Sequence, residues 1–282
     1  MNNVSFGKQT SVYFKKITRI AIREKAWKFI AFAAIIAAIV AAVVSKDMFE
    51  DFDSTKSGFF TLSSACIWLG IFNSIQSICK EHDIIRSEYR QGMKMSSYIC
   101  ANILWQALLC LIQVIIVFVI CIAFGFFDGC PDQGTMMPAM IEYFITLYLL
   151  TFGSSILGIM VSSISSNPTT AMTIMPFVLI LQLIMSGAIF ELTGFSEGVA
   201  YITFSKWGMS ALGSTADMNS LDLKIVAKDT TGTLANLISK PSEEAYSYEA
   251  ATTLLAWLWC LCITAVSAVI SIISLKFKNR DS

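Results

Sequence analysis

The sequence predicts an all-α polytopic membrane protein with six transmembrane helices, and three observations support this. Hydrophobic residues make up 55% of the chain, and the mean hydropathy is +0.66. Charged residues make up only 14%, whereas an ordinary soluble domain carries about 25%. The apolar residues form runs of about 20, the length that an α-helix needs to cross a bilayer. This composition excludes an ordinary soluble domain.

Six apolar runs define the predicted transmembrane helices. They lie at residues 26–45, 59–79, 99–126, 139–163, 171–190 and 251–275. A cleaved signal peptide is the alternative for the first run, but that run is longer than the apolar part of a typical signal peptide and follows a long basic segment. We therefore expect one domain over residues 26–275, with an external loop at 191–250 and a short tail at 276–282.

The uneven distribution of basic residues predicts the orientation. Basic residues are concentrated in residues 8–28, 80–94 and 276–280, whereas the connections at 46–58 and 127–138 are acidic. Connections rich in Lys and Arg stay on the cytoplasmic side of a membrane. We therefore expect a plasma-membrane protein with both termini and the connection between the second and third spans in the cytoplasm.

The segment before the first span, residues 1–25, combines apolar and basic residues at helical spacing. One predicted face consists of Tyr13, Ile17, Ile20 and Ala21, and the opposite face of Lys15, Arg19 and Arg23. This pattern is typical of an amphipathic helix that rests on anionic lipid headgroups. A basic flank that only orients the first span is the alternative, and the two interpretations are compatible.

The connection at residues 80–98 is too charged to lie within a bilayer. If it forms one helix, the predicted basic row is Arg86, Arg90 and Lys94, and the adjacent apolar strip is Ile85, Tyr89 and Met93. Glu81 and Glu88 lie away from that row. The pattern fits a surface offered to a cytoplasmic partner, and it fits a solvated connector equally well.

The sequence contains no motif typical of a catalytic, nucleotide-binding or metal-binding site. The GKQT at residues 7–10 lacks the upstream glycine of a nucleotide-binding loop. The single histidine, His82, and the eight cysteines show no metal-ligand spacing. Cys130 is the cysteine of a predicted external loop, and it is either a free thiol or part of an intersubunit bridge. We expect a chain that is not an enzyme, with no catalytic residue, no metal, no bound cofactor and no nucleic-acid partner.

Several amide side chains lie within the predicted spans. They are Asn73, Gln76, Asn102, Gln106, Gln113 and Gln182. Such amides usually form hydrogen bonds between membrane helices. The lining of a transport pathway is the alternative.

Two motifs, in this order, resemble those of a known family. The first consists of Glu81, Glu88-Tyr89, Gly92 and Ser96-Ser97-Tyr98. The second lies within residues 185–212 and includes Lys206, Trp207, Gly208, Ala211 and Leu212. Together with the six spans, they resemble the membrane domains of ABC exporters of the G subfamily and of related bacterial ABC exporters of the type-two permease class.

This resemblance implies an architecture and a partner. It implies an N-terminal amphipathic elbow helix, a cytoplasmic coupling helix between spans two and three, and a re-entrant external helical segment between spans five and six. It also implies a separate ATPase subunit, which binds ATP and Mg²⁺ and contacts the coupling helix. The expected coupling residues are Glu81, Arg86, Glu88, Tyr89, Arg90 and Lys94.

The resemblance further implies that two permease copies, identical or closely related, enclose a cavity between spans two and five. The expected cavity residues are Leu69, Asn73, Leu179, Gln182, Leu183, Ala188 and Ile189. The expected function is that of a permease subunit that exports a hydrophobic or amphipathic cargo. The alternatives are an ATP-independent channel or ion-coupled carrier, which would need ionisable residues in its pathway, and a membrane scaffold subunit.

Overall fold

The structure is a computed structural model that describes residues 5–190, 192–221 and 243–280. Within these ranges it contains α-helices, short 3-10 turns and no β-strand. The helices are α1 (Phe6–Arg23), α2 (Trp27–Val44), α3 (Phe52–Ser74), α4 (His82–Arg90), α5 (Met95–Ala123), α6 (Ala139–Ile164), α7 (Pro168–Ile184), α8 (Phe195–Ala200), α9 (Phe204–Thr215) and α10 (Ala250–Arg280). The predicted all-helical class is therefore confirmed for the described residues.

Five helical segments in the described part of the chain are long and apolar enough to cross a membrane. They are α2, the segment Phe52–Arg90 that begins with α3, α5, α6 and α10. The predicted fifth span is the shorter apolar helix α7, which has 17 residues. Asn167 caps α7 by accepting a hydrogen bond from the Thr170 amide at 2.8 Å.

Three of the predicted helix boundaries were wrong, for local reasons. Helix α3 begins at Phe52 rather than at 59, because Asp51 caps it and accepts from the Ser54 amide. Helix α7 ends before 190, where the Ser186 hydroxyl donates to the Leu183 carbonyl and accepts from the Ala188 amide. Helix α10 continues to Arg280, through most of the predicted tail.

The connection at residues 80–98 is not one helix, so the predicted basic row was wrong for Lys94. Helix α4 ends at Arg90, and Gly92 has a φ of +100°. A side chain would strain that backbone, whereas glycine adopts it readily. Lys94 then lies in extended backbone before α5. Arg86 and Arg90 share α4, but Lys94 belongs to the turn that follows it.

The helices pack around two buried clusters. The larger one lies between α3, α6 and α9 and includes Phe59 and Tyr143, whose rings are 5.6 Å apart. The smaller one includes Ile85 of α4 and Tyr98 of α5, and Tyr13 and Ile17 of α1 pack against it. Two residues of the predicted apolar face, Tyr13 and Ile17, therefore pack against the protein, and Lys15, Arg19 and Arg23 are exposed.

Helices α3 and α6 approach each other at small residues. A Cβ atom at Gly70 would collide with the Thr151 carbonyl oxygen and the Ser154 hydroxyl of α6. One turn further along α3, the Ser74 hydroxyl donates to the Ser155 carbonyl at 2.6 Å. Small residues allow such close backbone contact between membrane helices.

The predicted external loop at 191–250 is helical where the structure describes it. Helices α8 and α9 meet at a short turn, and nearly every residue of α9 is buried. The Trp207 indole donates to the Tyr201 carbonyl at 2.9 Å and stacks on Trp259 of α10. These contacts fix α9 against α10. Residues 222–242 of the predicted loop lie outside the described residues.

Candidate functional site

Helix α4 is held against α1 by a charged contact. The Lys16 ammonium lies 2.7 Å from Glu88 Oε1, and the two side chains are 28% and 27% exposed. Burial and, second, the charge of Glu88 raise the pKa of the nearby Tyr13 to about 12. An ion pair with this exposure contributes about 0–1 kcal/mol, so it orients the two helices more than it stabilises them.

The turn after α4 is also attached to α1. The Gln9 amide donates to the Gly92 carbonyl at 3.4 Å and accepts from the Lys94 backbone amide at 3.0 Å. Neither Gln9 nor Lys16 could be assigned this role from sequence alone. Both lie in the segment predicted to be an amphipathic helix at the membrane surface, and that position was the one indication of a structural role.

The other glutamate of the predicted coupling set faces the protein. Glu81 accepts a hydrogen bond at 3.0 Å from the hydroxyl of Tyr98, which is 1% exposed. The Tyr13 ring packs edge to face on Tyr98, with ring centroids 5.8 Å apart. Glu81 therefore links the start of α4 to the first turn of α5.

The remaining predicted coupling residues differ in exposure. Arg90 and Lys94 are exposed, whereas Arg86 is partly buried. Tyr89 packs against the smaller buried cluster, next to the fully buried Ile85. Helix α4 therefore has an apolar face toward the protein, and the exposed basic residues of the predicted coupling set are Arg90 at its end and Lys94 in the turn that follows.

A pocket of about 420 Å³ lies beside this cluster, between α1, the start of α2, the end of α3 and the first half of α5. Its wall combines lysines, amides and apolar side chains, among them Lys28, Lys80, Asn73, Gln106 and Trp105. Asn73 is the predicted cavity residue that lines it; the other six do not.

Most of the predicted cavity residues are packed within the single chain. Leu69, Leu179 and Gln182 are buried, with 4% exposure or less. The Gln182 carbonyl accepts from the Ser205 amide at 3.1 Å and so holds the first turn of α9. Leu183 and Ala188 are partly buried, and Ile189 is 54% exposed. The described residues of one chain do not bring these side chains together around one space.

Four of the six predicted intramembrane amides, Asn73, Gln106, Gln113 and Gln182, form hydrogen bonds between helices, whereas Asn102 donates to Tyr98 within α5. Asn73 of α3 and Gln113 of α5 bond reciprocally, at 2.6 Å and 3.1 Å. Gln113 also donates to the Phe29 carbonyl of α2 at 3.1 Å. This one amide pair therefore connects three helices.

Between the end of α5 and the start of α6, the buried carboxylate of Glu142 binds the loop that connects the two helices. Glu142 is fully buried and accepts from the backbone amides of Thr135, Met136 and Met137, at 3.0, 2.6 and 2.8 Å. It also accepts from the Thr215 hydroxyl of α9 at 2.8 Å. Sequence reasoning did not assign this role to Glu142. Its loop partners lie five to seven residues away, but a local spacing alone does not identify such a contact.

The part of the chain that the structure describes contains no further candidate site made of cysteine thiols or of metal-binding side chains. The cysteines there are free, and no group of three His, Cys, Asp or Glu side chains is placed to hold a metal ion. Cys130 is partly buried, and burial, with Asp132 and Asp128, raises its pKa above the ordinary value of a thiol.

Comparison with known proteins identifies relatives. Residues 10–215 match the family model described as ABC-2 type transporter. The chain is also similar to the ABC transporter ATP-binding/permease protein Rv1747 of Mycobacterium tuberculosis, with 26% identity over 164 residues. That match covers 57% of this chain and 19% of the relative. The chain thus spans about a fifth of the length of that protein.

Proposed function

Because the chain belongs to the ABC-2 type transporter family, we propose that it is the transmembrane permease subunit of an ATP-driven exporter in the plasma membrane. The matched domain is of the permease type and not a catalytic ATPase domain. The observation that carries the proposal is helix α4, a short amphipathic helix between the apolar helices α3 and α5. Its inner face is packed into the protein, and Arg90 at its end and Lys94 in the following turn are exposed.

In this proposal, a separate ATPase subunit binds ATP and Mg²⁺ and contacts α4 in the cytoplasm. Arg90 and Lys94 are the exposed basic side chains nearest that contact. Glu81 and Glu88 hold α4 in place, through Tyr98 of α5 and Lys16 of α1. Tyr89 and Arg86, which are partly buried, form the rest of the α4 surface in the proposed contact.

A displacement of α4 by the ATPase would reach the membrane helices by two routes. The first is the turn at Gly92, which leads directly into α5. The second is the Lys16–Glu88 contact, which leads to α1 and, through a short link, to α2. Transmission through packed and charge-paired elements of this kind needs no further chemistry in the chain.

We assign the transport pathway to the interface with a second permease copy, identical or closely related. The apolar side chains after α7, Ile189 and Phe190, are 54% and 58% exposed, so they are open to contact either lipid or a second copy. Leu69, Asn73, Leu179, Gln182, Leu183 and Ala188 would line or support the pathway. The scarcity of charged side chains among them favours a hydrophobic or amphipathic cargo.

Co-purification tests the proposal. The tagged chain, expressed in its native host and extracted in mild detergent, should bring an ABC ATPase with it. Arg90→Glu with Lys94→Glu should remove most of that ATPase, because the charge of both exposed basic side chains at the end of α4 and in the next turn is reversed. Lys15→Glu with Arg19→Glu is the matched control, since both side chains are exposed on α1.

The outcomes separate the proposal from its alternatives. Retention of the ATPase in the control and its loss in the α4 variant supports the contact. A chain that purifies with no ATPase and moves a substrate without ATP would instead be a channel or an ion-coupled carrier. Equal loss in both variants would show that general charge, rather than α4, attracts the ATPase.

A further inference from the structure

The pocket beside α1 has a basic rim. Lys25, Lys28 and Lys80 line it together with Glu24 and Glu81. All three lysines are exposed, and no ion pair involves them among the described residues. Glu81 already accepts from the Tyr98 hydroxyl. The rim therefore favours an anionic group at the entrance of the pocket.

The inner wall of the pocket is lined by amides. They are Asn73, Gln76, Asn102 and Gln106. Gln106 is 2% exposed, and its Nε2 donates to the Asn73 carbonyl at 3.4 Å. Gln106 lines the pocket, and its Oε1 has no hydrogen-bond partner among the described residues. A buried acceptor without a donor is unfavourable, so a bound group that donates a hydroxyl would stabilise it.

The rest of the wall is apolar. Phe29, Phe72, Trp105, Leu109 and Met172 line the same space. The pocket, at about 420 Å³, is within the size range of small-molecule sites. It therefore combines a basic entrance, a buried hydrogen-bond acceptor and an apolar wall, which is the pattern complementary to an amphiphile.

We propose that this pocket binds an anionic phospholipid from the leaflet next to α1, through a phosphate that carries a hydroxyl-bearing headgroup. The phosphate lies at Lys25, Lys28 and Lys80, a headgroup hydroxyl donates to Gln106 Oε1, and an acyl chain contacts Trp105. Binding at this site requires neither an ATPase nor transport, so it stands independently of the proposed function.

Fluorescence quenching by brominated lipid tests this proposal on the full chain. The protein is placed in phosphatidylcholine vesicles in which a minor fraction is phosphatidylglycerol with brominated acyl chains. The quenching of Trp105 is obtained as the difference in fluorescence quenching between the unmodified protein and its Trp105→Phe variant. We expect Trp105 to select phosphatidylglycerol over equally brominated phosphatidylcholine by about fivefold, the effect of one net positive charge near a headgroup.

Matched variants assign the selectivity to the pocket. Lys28→Gln with Lys80→Gln leaves one lysine against two glutamates in the rim and should abolish or reverse the preference, whereas Lys15→Gln, which removes an exposed lysine outside the pocket, should leave it unchanged. Gln106→Leu should weaken the quenching by phosphatidylglycerol but not by phosphatidic acid, which lacks the headgroup hydroxyls. Thermal melting of each variant checks that it is folded.

Three results would overturn the proposal. The first is equal quenching of Trp105 by the two brominated lipids in the unmodified protein. The second is a preference that survives Lys28→Gln with Lys80→Gln, which would place the anion elsewhere. The third is loss of the preference on addition of inorganic phosphate, which would identify a site for soluble phosphate rather than for a lipid.

Discussion

The two ends of the helical domain hold their carboxylates in opposite ways. Near α1, Glu88 pairs with a single lysine, and about a quarter of each side chain is exposed. At the other end, Glu142 is fully buried and accepts from three backbone amides and two threonine hydroxyls. The ends are separated by the length of α5, whose 29 residues span about 44 Å.

This difference shows where the molecule can adjust. An ion pair that is about a quarter exposed is still reached by water and partly screened by salt, so it can be remade at lower cost than a fully buried contact. A buried carboxylate that loses its donors costs several kcal/mol, so it fixes its neighbours in one arrangement. The α1–α4 end is therefore adjustable, and the Glu142 end is rigid.

The largest expected effect comes from Glu142. Glu142→Gln replaces one acceptor oxygen by an amide group that faces backbone donors, so it should destabilise the protein by about 3 kcal/mol. Thermal melting of the purified protein in detergent measures this loss. Glu244→Gln is the control, since Glu244 is exposed and should melt as the unmodified protein does. If both variants had the same melting temperature, the inference that the Glu142 end is rigid would be contradicted.

A smaller effect is expected at the α1–α4 contact. Lys16→Gln or Glu88→Gln should each lower the free energy of unfolding by less than about 1 kcal/mol, and less still at high salt. The exchange Lys16→Glu with Glu88→Lys should restore the stability, because the opposite charges still meet. A loss as large as that of Glu142→Gln would show that both ends are rigid.

The smallest expected effect concerns Cys130, near the rigid end. Burial, with Asp132 and Asp128, raises the pKa of Cys130, so less of the reactive thiolate is present at a given pH. Alkylation should therefore accelerate at a higher pH than for an ordinary exposed thiol, and Asp132→Asn should shift that acceleration to lower pH. Mass spectrometry follows the modification, with Cys130→Ser as the control for site assignment.

The helical class and the amphipathic first helix were predictable because they depend on composition and periodicity. The apolar face of Tyr13 and Ile17 is readable from spacing alone. The break at Gly92 was not, since a glycine is compatible with a helix at a cost of about 1 kcal/mol and its positive φ is not encoded in the pattern of charges.

The candidate site was only partly predictable, for the same physical reason. Glu81 and Glu88 could be singled out by their motif, but their partners Tyr98 and Lys16 are distant in sequence, at separations of 17 and 72 residues. The partner of Gln182, the Ser205 amide, is a backbone group and carries no sequence signal. Contacts of this kind depend on how the helices pack.

The backbone contact at Gly70 has a consequence for motion. Where two helices approach this closely at a glycine, little side-chain material separates their backbones at that point, so they have little room to slide. Helices α3 and α6 should therefore move as one rigid body, and any change of shape during a working cycle should be taken up at their boundaries with α5 and α7. Distances measured between labels on α3 and α7 should then vary between states, while those between α3 and α6 stay constant.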